Sequence, residues 1–247
     1  NRNESLKHCL QSIRANPCVH ILIMGPKVEF NSRAFDGLYD QLIEEPTTGS
    51  LPAKLNYAVQ KLPKNVEYVS WLGDDDLLEP LAFCRACENL QNDEHSSLAF
   101  GRCRYIDGLG REIGMNVSWS QAISFSKVGP FLAPQPGSVF RRQTFHDIGG
   151  LDESLSLAFD YDLFLRLSQR GNVLFVKETV SSFRWHNQSM SVSLRKQSAK
   201  EASTVRLKNS SGLLRFIVLA CNPIVELLTI FAGRLVSIRM LTLRLRR

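Results

Sequence analysis

The stretch VEYVSWLGDDDLLEP, residues 66–80, joins a strand-like segment to an acidic turn. The β-branched and aromatic residues of VEYVSWL predict a strand that ends at Gly73, directly before Asp74, Asp75 and Asp76. Three adjacent carboxylates repel one another unless a cation lies among them, and Mg²⁺ or Mn²⁺ takes oxygen ligands and bridges to phosphate. The pattern indicates a divalent-metal site. A structural alternative, in which Asp75 or Asp76 caps the helix after Pro80, stays equally open.

Helices and strands alternate on both sides of this stretch. Helical spacing in residues 5–13 precedes an apolar run at residues 19–24, and a second helical segment occupies residues 53–62. A helix is predicted from Pro80 to about Asn92, followed by a strand pair and, after a loop-rich region, further helix and strand signals. The alternation predicts an α/β fold, a mostly parallel sheet sandwiched by helices. Ligands of such sheets gather at the carboxyl ends of strands.

The composition excludes several classes of protein. With 247 residues, 44% hydrophobic and 22% charged, the chain matches globular averages rather than disordered, collagen-like or coiled-coil sequences. From Leu194 onward, eleven Lys or Arg face two Glu, a formal charge of +9, whereas the rest carries 19 basic and 22 acidic residues, or −3. The acidic body argues against nucleic-acid binding. Six scattered cysteines predict free thiols in a reduced, cytosolic setting.

Two further segments carry candidate functional groups. In GLDESLSLAFDYDLFLRL, residues 150–167, Asp160 begins a helix, and Asp162 pairs with Arg166 at i,i+4 spacing. Asp160 is a candidate proton acceptor, and the alternative is that it serves only as an N-cap. His186, in FRWHNQSMS at residues 183–191, follows a strand. It is either structural or completes a metal shell with the acidic cluster.

Taken in order, these motifs resemble family-two glycosyltransferases of the GT-A type. The resemblance rests on NRNESLKHCLQSI (1–13), TTGSLPAKLNYAV (47–59), WLGDDDLLEP (71–80), FGRCRYIDGLGREIG (100–114), GSVFRRQTFHDIGGLDESLSLAFDYDLFLRL (137–167) and RWHNQSMS (184–191). It covers residues 1–193 and implies a GT-A-like domain with a nucleotide-sugar half at 1–110 and an acceptor half at 111–193. Residues 194–247 are expected to form a basic amphipathic tail.

The resemblance implies inverting transfer of a sugar from a nucleotide-diphosphate sugar, most simply a UDP-sugar, to a glycan or lipid-linked hydroxyl. Asp160 is then the general base, and manganese or magnesium is held by Asp75 with His186 as second ligand. The residues implied to contact the donor are Asp74, Asp76, Asn56 and Arg184.

The sequence departs from the family's pattern in two places. Gly73 stands where the family's acidic motif has its first Asp, and Met24-Gly25-Pro26-Lys27 replaces an acidic, Gly/Ser-rich segment. The family's first strand, which helps to hold the base, would precede Asn1, so we expect a segment upstream. These departures keep a catalytically silent nucleotide-sugar-binding or scaffolding subunit as the alternative. A metal phosphohydrolase is disfavoured because it needs further His or Asp ligands.

The tail is the most apolar part of the chain. Arg215, Glu226 and Arg234 interrupt it, which predicts that it does not span a bilayer. Polar residues after Pro223 recur at helical spacing and leave a broad apolar face, and arginines add positive charge. We therefore expect in-plane docking on the inner, anionic face of the cell membrane and a cytoplasmic, peripheral location. The alternatives are packing on the body or on a second copy in a homo-oligomer.

Overall fold

The computed structural model describes residues 2–17, 19–26, 32–186 and 189–245. Its helices are α1 (Arg2–Arg14), α2 (Leu51–Lys61), α3 (Ala82–Asn92), α4 (Ala122–Ser126), α5 (Arg142–Asp147), α6 (Phe159–Leu167), α7 (Met190–Ser193), α8 (Arg195–Lys208) and α9 (Gly212–Leu245), with one 3₁₀ turn at Ser32–Phe35. Its strands are β1 (Leu22–Gly25), β2 (Gln41–Glu44), β3 (Tyr68–Val69), β4 (Leu77–Leu78), β5 (Ser96–Ile106), β6 (Glu112–Met115), β7 (Val139–Arg141) and β8 (Asn172–Arg184).

The two long strands β5 and β8 form the centre of the main sheet. They pair in parallel from Ser96 and Asn172 to Ile106 and Arg184, and the segment between them carries α4, α5 and α6. The strand order is β3-β7-β5-β8-β4, with β6 paired to the end of β5. This long parallel pair ends at Arg184, so it delivers the chain that follows to one edge of the sheet.

The α/β class and the helices on both faces are confirmed, and the sheet is more mixed than the expected mostly parallel arrangement. The pairs β5·β8 and β1·β2 are parallel, whereas the shorter pairs β3·β7, β5·β7, β4·β8 and β5·β6 are antiparallel. Of these antiparallel pairs, β5·β6 joins consecutive strands through a short connection, which lets β6 fold back on β5. The parallel pair β5·β8 is joined by residues 107–171, which supply the long crossover that a parallel pair needs.

Alternate residues of β5 supply two separate cores. Leu98 and Phe100 pack with α6 residues such as Leu163 on one face, while Ala99 packs with α3 residues such as Phe83 on the other. A smaller cluster joins α1 to β1 and the 3₁₀ turn. Because side chains alternate along a strand, one strand can hold helices against both faces.

The region 194–211, expected to be a hinge or a weakly packed helix, is the well-packed helix α8. Val205 belongs to the main core cluster and Arg206 is fully buried. The Arg206 guanidinium donates to Asn222 Oδ1 on α9 at 2.7 Å and to Ser203 Oγ at 2.7 Å. Polar hydrogen bonds, which have no periodic apolar signature in the sequence, fix this helix.

Helix α9 packs one side, which includes Val218, Asn222 and Val225, against the body and turns a broad apolar side outward. Asn222 is buried against α8, whereas Phe216, Leu227 and Phe231 are exposed. The helix also begins well before Pro223, which lies inside it. The expected broad apolar face is therefore present on the outside of the protein.

The charged residues of the tail were expected to exclude a membrane span. This expectation is wrong as far as length and composition go, because α9 is long and apolar enough to cross a membrane. Within Gly212–Thr242, the most apolar stretch of 18 residues has a mean hydropathy of 2.0, because Glu226 is the only charged residue between Arg215 and Arg234. This is the one such helix among the described residues. The sequence criterion thus permits a span, and the contacts of α9 must decide how it lies.

The tight packing of β5 on β8 gives a stability prediction at Gly101. A Cβ at this position would lie 2.6 Å from Val180 Cγ1 and 3.1 Å from the carbonyl oxygen of Glu178. We expect Gly101→Ala to lower the free energy of unfolding by about 1–3 kcal/mol through overpacking. Gly108→Ala, where nothing lies within 4 Å of the added atom, should change it by less than about 0.5 kcal/mol.

Urea denaturation of both variants measures the difference. Adding Val180→Ala to Gly101→Ala should recover part of the loss, because the two sites are coupled by direct contact. Equal stabilities for the Gly101 and Gly108 variants would contradict the packing described.

Candidate active site

The acidic turn lies between β3 and β4, and each of its three carboxylates has a different partner. Asp74 Oδ2 accepts from Arg2 Nε at 2.6 Å, at the surface. Asp75 Oδ2 lies 2.5 Å from His186 Nε2. Asp76 is 4% exposed, and its Oδ1 accepts from the Arg184 backbone N–H at 2.9 Å. Separate partners allow three adjacent negative groups to occupy one turn.

The pairing of β4 with β8 explains how the distant residues meet. Leu77 pairs with Ser182 and Leu78 with Ser181 in antiparallel register. The acidic turn immediately precedes β4 and His186 follows β8 by two residues, so the register brings both to the same edge of the sheet. The predicted convergence of Asp75 with His186 is thus produced by two backbone pairings.

Asp76 experiences the most unfavourable surroundings of the three carboxylates. Burial and the charges of Asp75 and Asp74 raise its pKa to about 7, against the lowering effects of the Arg184 backbone N–H and guanidinium. Burial disfavours a charged carboxylate, and like charges add to that effect. Asp76 therefore acts as the internal anchor of the turn.

Arg184 holds the main chain around this turn. Its Nε donates to the carbonyl oxygen of Asp75 at 3.0 Å and its Nη1 donates to that of Asp107 at 2.9 Å. The side chain is nearly buried, so its positive charge acts on the carboxylates with little solvent screening. Arg184, which was expected to contact a donor, therefore lies at the site, where it supports the main chain of the turn and contributes a positive charge.

Gly73 leaves space that the carboxylates fill. A Cβ at this position would lie 2.9 Å from Asp76 Oδ2 and 3.4 Å from Asp75 Oδ1. An Asp at position 73 would therefore force the buried Asp76 to move. The departure of Gly73 from the resembling family's pattern has a local steric reason.

The alternative hypotheses, in which Asp75, Asp76 or Asp160 serves as a helix N-cap, are not supported. The N-cap residue of α3 is Leu81, so neither Asp75 nor Asp76 caps that helix. The N-cap of α6 is Ala158, and Asp160 is the second residue of the helix, where its Oδ1 accepts from the Tyr161 N–H at 2.8 Å.

Asp160 combines partial burial with a raised pKa. Burial, with a smaller contribution from the charge of Glu201, raises the pKa of its carboxyl to about 6, although the hydrogen bond from the Tyr161 N–H lowers it. The neighbouring Phe159 ring lies 6.3 Å from the Trp71 ring, measured between centroids. Because Trp71 lies three residues before Asp74, this contact links the start of α6 to the strand that leads into the acidic turn.

Glu201 is a functional candidate that the sequence analysis missed. A single oxygen, Oε1, accepts from the backbone N–H groups of Ser156, Leu157 and Ala158 at 2.7, 2.9 and 3.1 Å. These three residues lead directly into Asp160. In the sequence, Glu201 was only one of two acids in a basic tail, and no local pattern indicated that α8 reaches this loop.

Asn56 and Asp162 make contacts within the protein. Asn56 Oδ1 accepts from the Leu151 N–H at 2.8 Å, and its Nδ2 donates to Leu151 O and Glu153 Oε1, both at 3.0 Å. Asn56 therefore fixes the chain that leads toward Asp160. Asp162 forms the predicted pair with Arg166 at 2.7 Å, and its carboxyl is fully buried.

The donor set at the turn suits a divalent cation that shares its coordination with a substrate. Asp75 offers a carboxylate oxygen and His186 an imidazole nitrogen, both of which Mn²⁺ accepts. Among the residues that the structure describes, no group of three His, Cys, Asp or Glu side chains forms a complete cage. Such a two-residue set fits an ion whose remaining ligands are phosphate oxygens and water.

Comparison with solved structures shows that this arrangement is carried by a GT-A fold. The mannosyltransferase PcManGT from Pyrobaculum calidifontis, solved in complex with GDP-Man and Mn²⁺, superposes with a TM-score of 0.63 at 12% identity, covering 94% of this chain and 70% of that one. Residues 1–349 of TarS from S. aureus superpose with a TM-score of 0.60 at 10% identity, covering 89% and 68%. The predicted likeness to GT-A glycosyltransferases is confirmed for the fold.

Sequence comparison gives a narrower match. No protein-family model matches the chain. Chondroitin synthase from Escherichia coli is 26% identical over 125 residues, which is 51% of this chain and 18% of that protein. The chain thus spans less than a fifth of the curated relative that it matches.

The position of Glu201 gives a prediction for Asp160. Glu201→Gln keeps an oxygen acceptor for the three N–H groups but removes the negative charge, so we expect the pKa of Asp160 to fall from about 6 towards its ordinary value. Carboxyl ¹³C NMR titration measures this pKa directly. Glu226→Gln on α9 is the matched control and should leave it unchanged. An unaltered Asp160 titration in Glu201→Gln would show that Glu201 has no electrostatic influence there.

Proposed function

We propose that the protein is a glycosyltransferase that moves a sugar from a nucleotide-diphosphate sugar to a hydroxyl group of a glycan or lipid-linked acceptor, with inversion. The observation that carries this proposal is the meeting of Asp75 and His186, 111 residues apart, at 2.5 Å within a GT-A fold. The match to part of chondroitin synthase, a protein named for polysaccharide synthesis, supports the same reaction class.

Manganese or magnesium is assigned to Asp75 and His186. The solved mannosyltransferase complex contains GDP-Man and Mn²⁺, which supports this assignment by analogy. Such an ion supplies positive charge to the departing diphosphate. The remaining protein groups then act on the donor through position and charge, with Arg184 held beside the turn by Asp75 and Asp107.

Asp74, Asp76 and Asn56 are proposed to act on the donor in different ways, one directly and two by supporting the site. Asp74 is exposed enough to reach a ligand, whereas Asp76 is buried and supports the turn from beneath. Asn56 acts by fixing the segment at Leu151. A UDP-sugar remains the simplest donor, and the solved complex with GDP-Man makes a guanine nucleotide the direct competitor in a donor screen.

Asp160 is assigned as the general base. A carboxyl with a pKa of about 6 is ionised at neutral pH, yet it is more basic than an ordinary aspartate. It would take the proton of the acceptor hydroxyl as the oxygen attacks the anomeric carbon, while the bond to the diphosphate breaks. One direct displacement without an enzyme nucleophile inverts the anomeric centre, by the logic that distinguishes inverting from retaining carboxylate pairs.

Replacing Asp160 tests this assignment. In the full-length protein with Mn²⁺, we expect Asp160→Asn to lower kcat by about 10²–10⁴-fold with little change in the KM of the donor. Asp147→Asn is the matched control, because it makes the same change at an exposed position on α5. Its kcat should stay within about twofold of wild type. Release of nucleoside diphosphate from a panel of UDP- and GDP-sugars provides the measurement.

The same assay gives the pH dependence. Asp160 must be ionised to accept a proton, so kcat/KM should fall about tenfold per pH unit below the pKa of about 6 and level off above it. Activity of Asp160→Asn within a few-fold of wild type would remove Asp160 as the base.

We also propose that the protein works at the inner face of the cell membrane, with α9 lying in the plane of the surface. The buried side of α9 contacts α8 and β6. The guanidinium of Arg195 and the indole N–H of Trp185 bond to Ser237 Oγ at 2.9 and 3.3 Å. A helix packed along one side on the body cannot be surrounded by lipid, so docking of its outer side is favoured over a span.

The outer side of α9 has the character of an interfacial helix. At about 100° per residue, its exposed apolar residues occupy an arc of roughly 180°. This apolar arc comprises Leu213, Phe216, Ile217, Leu219, Ile224, Leu227, Leu228, Phe231, Leu235, Ile238 and Leu241. Arg239 lies at one edge of the arc and Arg234 lies within it, and such cationic side chains can reach anionic headgroups.

Flotation with anionic liposomes tests this docking. We expect Phe216→Gln, Leu227→Gln and Phe231→Gln together to weaken binding by at least about tenfold, because three large apolar side chains no longer enter the bilayer. These side chains are 71%, 67% and 59% exposed, so the fold should be retained.

The matched control replaces three equally exposed apolar residues of the body, Leu81, Leu109 and Val117, with Gln; they are 62%, 75% and 72% exposed. The control should float like wild type. If both triple variants float equally, α9 is not the docking surface. If the α9 variant instead abolishes a dimer seen by light scattering, the apolar arc is an interface between copies.

A further inference from the structure

A basic cavity of about 390 Å³ lies where α7, α8 and α9 meet. Its charged lining consists of Arg195, Lys196 and Arg234, with no acidic residue among the lining groups. Within the described parts of the chain, the ion pairs found do not include any of these three cations. The cavity is therefore a concentration of positive charge without internal compensation.

Arg195 is held in this cavity by specific contacts. Its Nη2 donates to Ser237 Oγ at 2.9 Å, and its side chain crosses Gly233 so closely that a Cβ there would lie 2.6 Å from Arg195 Nε. Burial and the charge of Arg234 lower the pKa of Arg195. Holding two guanidinium groups near each other is unfavourable unless an anion lies between them.

The surroundings of the cavity are apolar on the side that faces outward. Ile230 and Leu194 contribute to its lining, and Leu194 and Met190 are exposed. On the helical wheel, Arg234 lies beside Phe231 and Ile238 within the apolar arc. A ligand of this cavity therefore meets positive charge and a bilayer-facing apolar surface at once.

We propose that Arg195, Lys196 and Arg234 form a binding site for the phosphate headgroup of a membrane lipid, of the phosphomonoester type. Guanidinium groups bind phosphate oxygens in a bidentate manner, and a dianionic phosphate matches a site with three cations better than a carboxylate does. The proposal rests on the membrane docking proposed above and adds a headgroup preference to it. Binding is non-covalent.

Vesicle binding measures this preference. Flotation compares phosphatidylcholine vesicles that contain phosphatidic acid with vesicles matched in surface charge by phosphatidylserine. We expect wild type to bind the phosphatidic acid vesicles at least about fivefold more tightly. Arg195→Gln with Arg234→Gln should abolish this preference while retaining weaker binding to both vesicles through the apolar arc.

The matched control is Lys200→Gln with Arg239→Gln, which removes two exposed charges of the same tail outside the cavity. It should bind both vesicles somewhat more weakly but keep the preference. A preference that survives in the cavity variant, or that the control loses equally, would overturn the proposal. Because Arg195 also bonds to Ser237, the single variant Arg234→Gln, with an exposed side chain, provides the test if the double variant melts early.

Calorimetry with dihexanoyl phosphatidic acid below its micelle concentration separates the cavity from membrane docking. Wild type should bind this monomeric lipid and Arg234→Gln should not. If this difference is seen although neither protein floats with vesicles, the docking proposal fails and the headgroup site is retained. The same calorimetry is then repeated with inorganic phosphate alone. If it binds wild type as tightly as the lipid does, the site takes free phosphate and the lipid assignment is overturned.

Discussion

Three neighbouring carboxylates in one turn constrain much of this structure. Coulomb repulsion among Asp74, Asp75 and Asp76 must be offset, and the fold does so by giving each a separate partner that is distant in the chain. Arg2 comes from the first helix, while His186 and Arg184 come from the end of β8. Because β8 is the long central strand, the same pairing that forms the core also brings these partners to the acidic turn.

Helix α8 connects the remaining functional surfaces. Near its start, Arg195 lies over Gly233 of α9; at its centre, Glu201 accepts three N–H groups of the loop before Asp160; toward its end, Arg206 bonds to Asn222 of α9. One helix thus contacts the basic cavity, the loop before the proposed base and the apolar tail. The C-terminal region is structurally part of the proposed active site and of the proposed membrane surface.

Local patterns predicted most of the regular elements. The helices α1, α2, α3 and α6 and the strands β5 and β8 were expected from periodicity and composition, since their apolar spacing is set by burial on one or two faces. β2 was missed because QLIE is short and carries no turn signal, and it forms only by pairing with β1. The packing of α8 was missed because polar contacts such as Arg206 with Asn222 leave no periodic signal.

The sequence alone determined the chemical inventory: an acidic turn after a strand, an aspartate at the start of a helix, a histidine after a strand, and an apolar, basic tail. These follow from residue type and local spacing. The tertiary structure decided which groups meet, that Arg184 holds the turn, that Glu201 bonds to the loop before Asp160, and that α9 presents a broad apolar side outward. Each of these depends on strand register or helix packing between segments far apart in the chain, and local spacing carries no information about such distances.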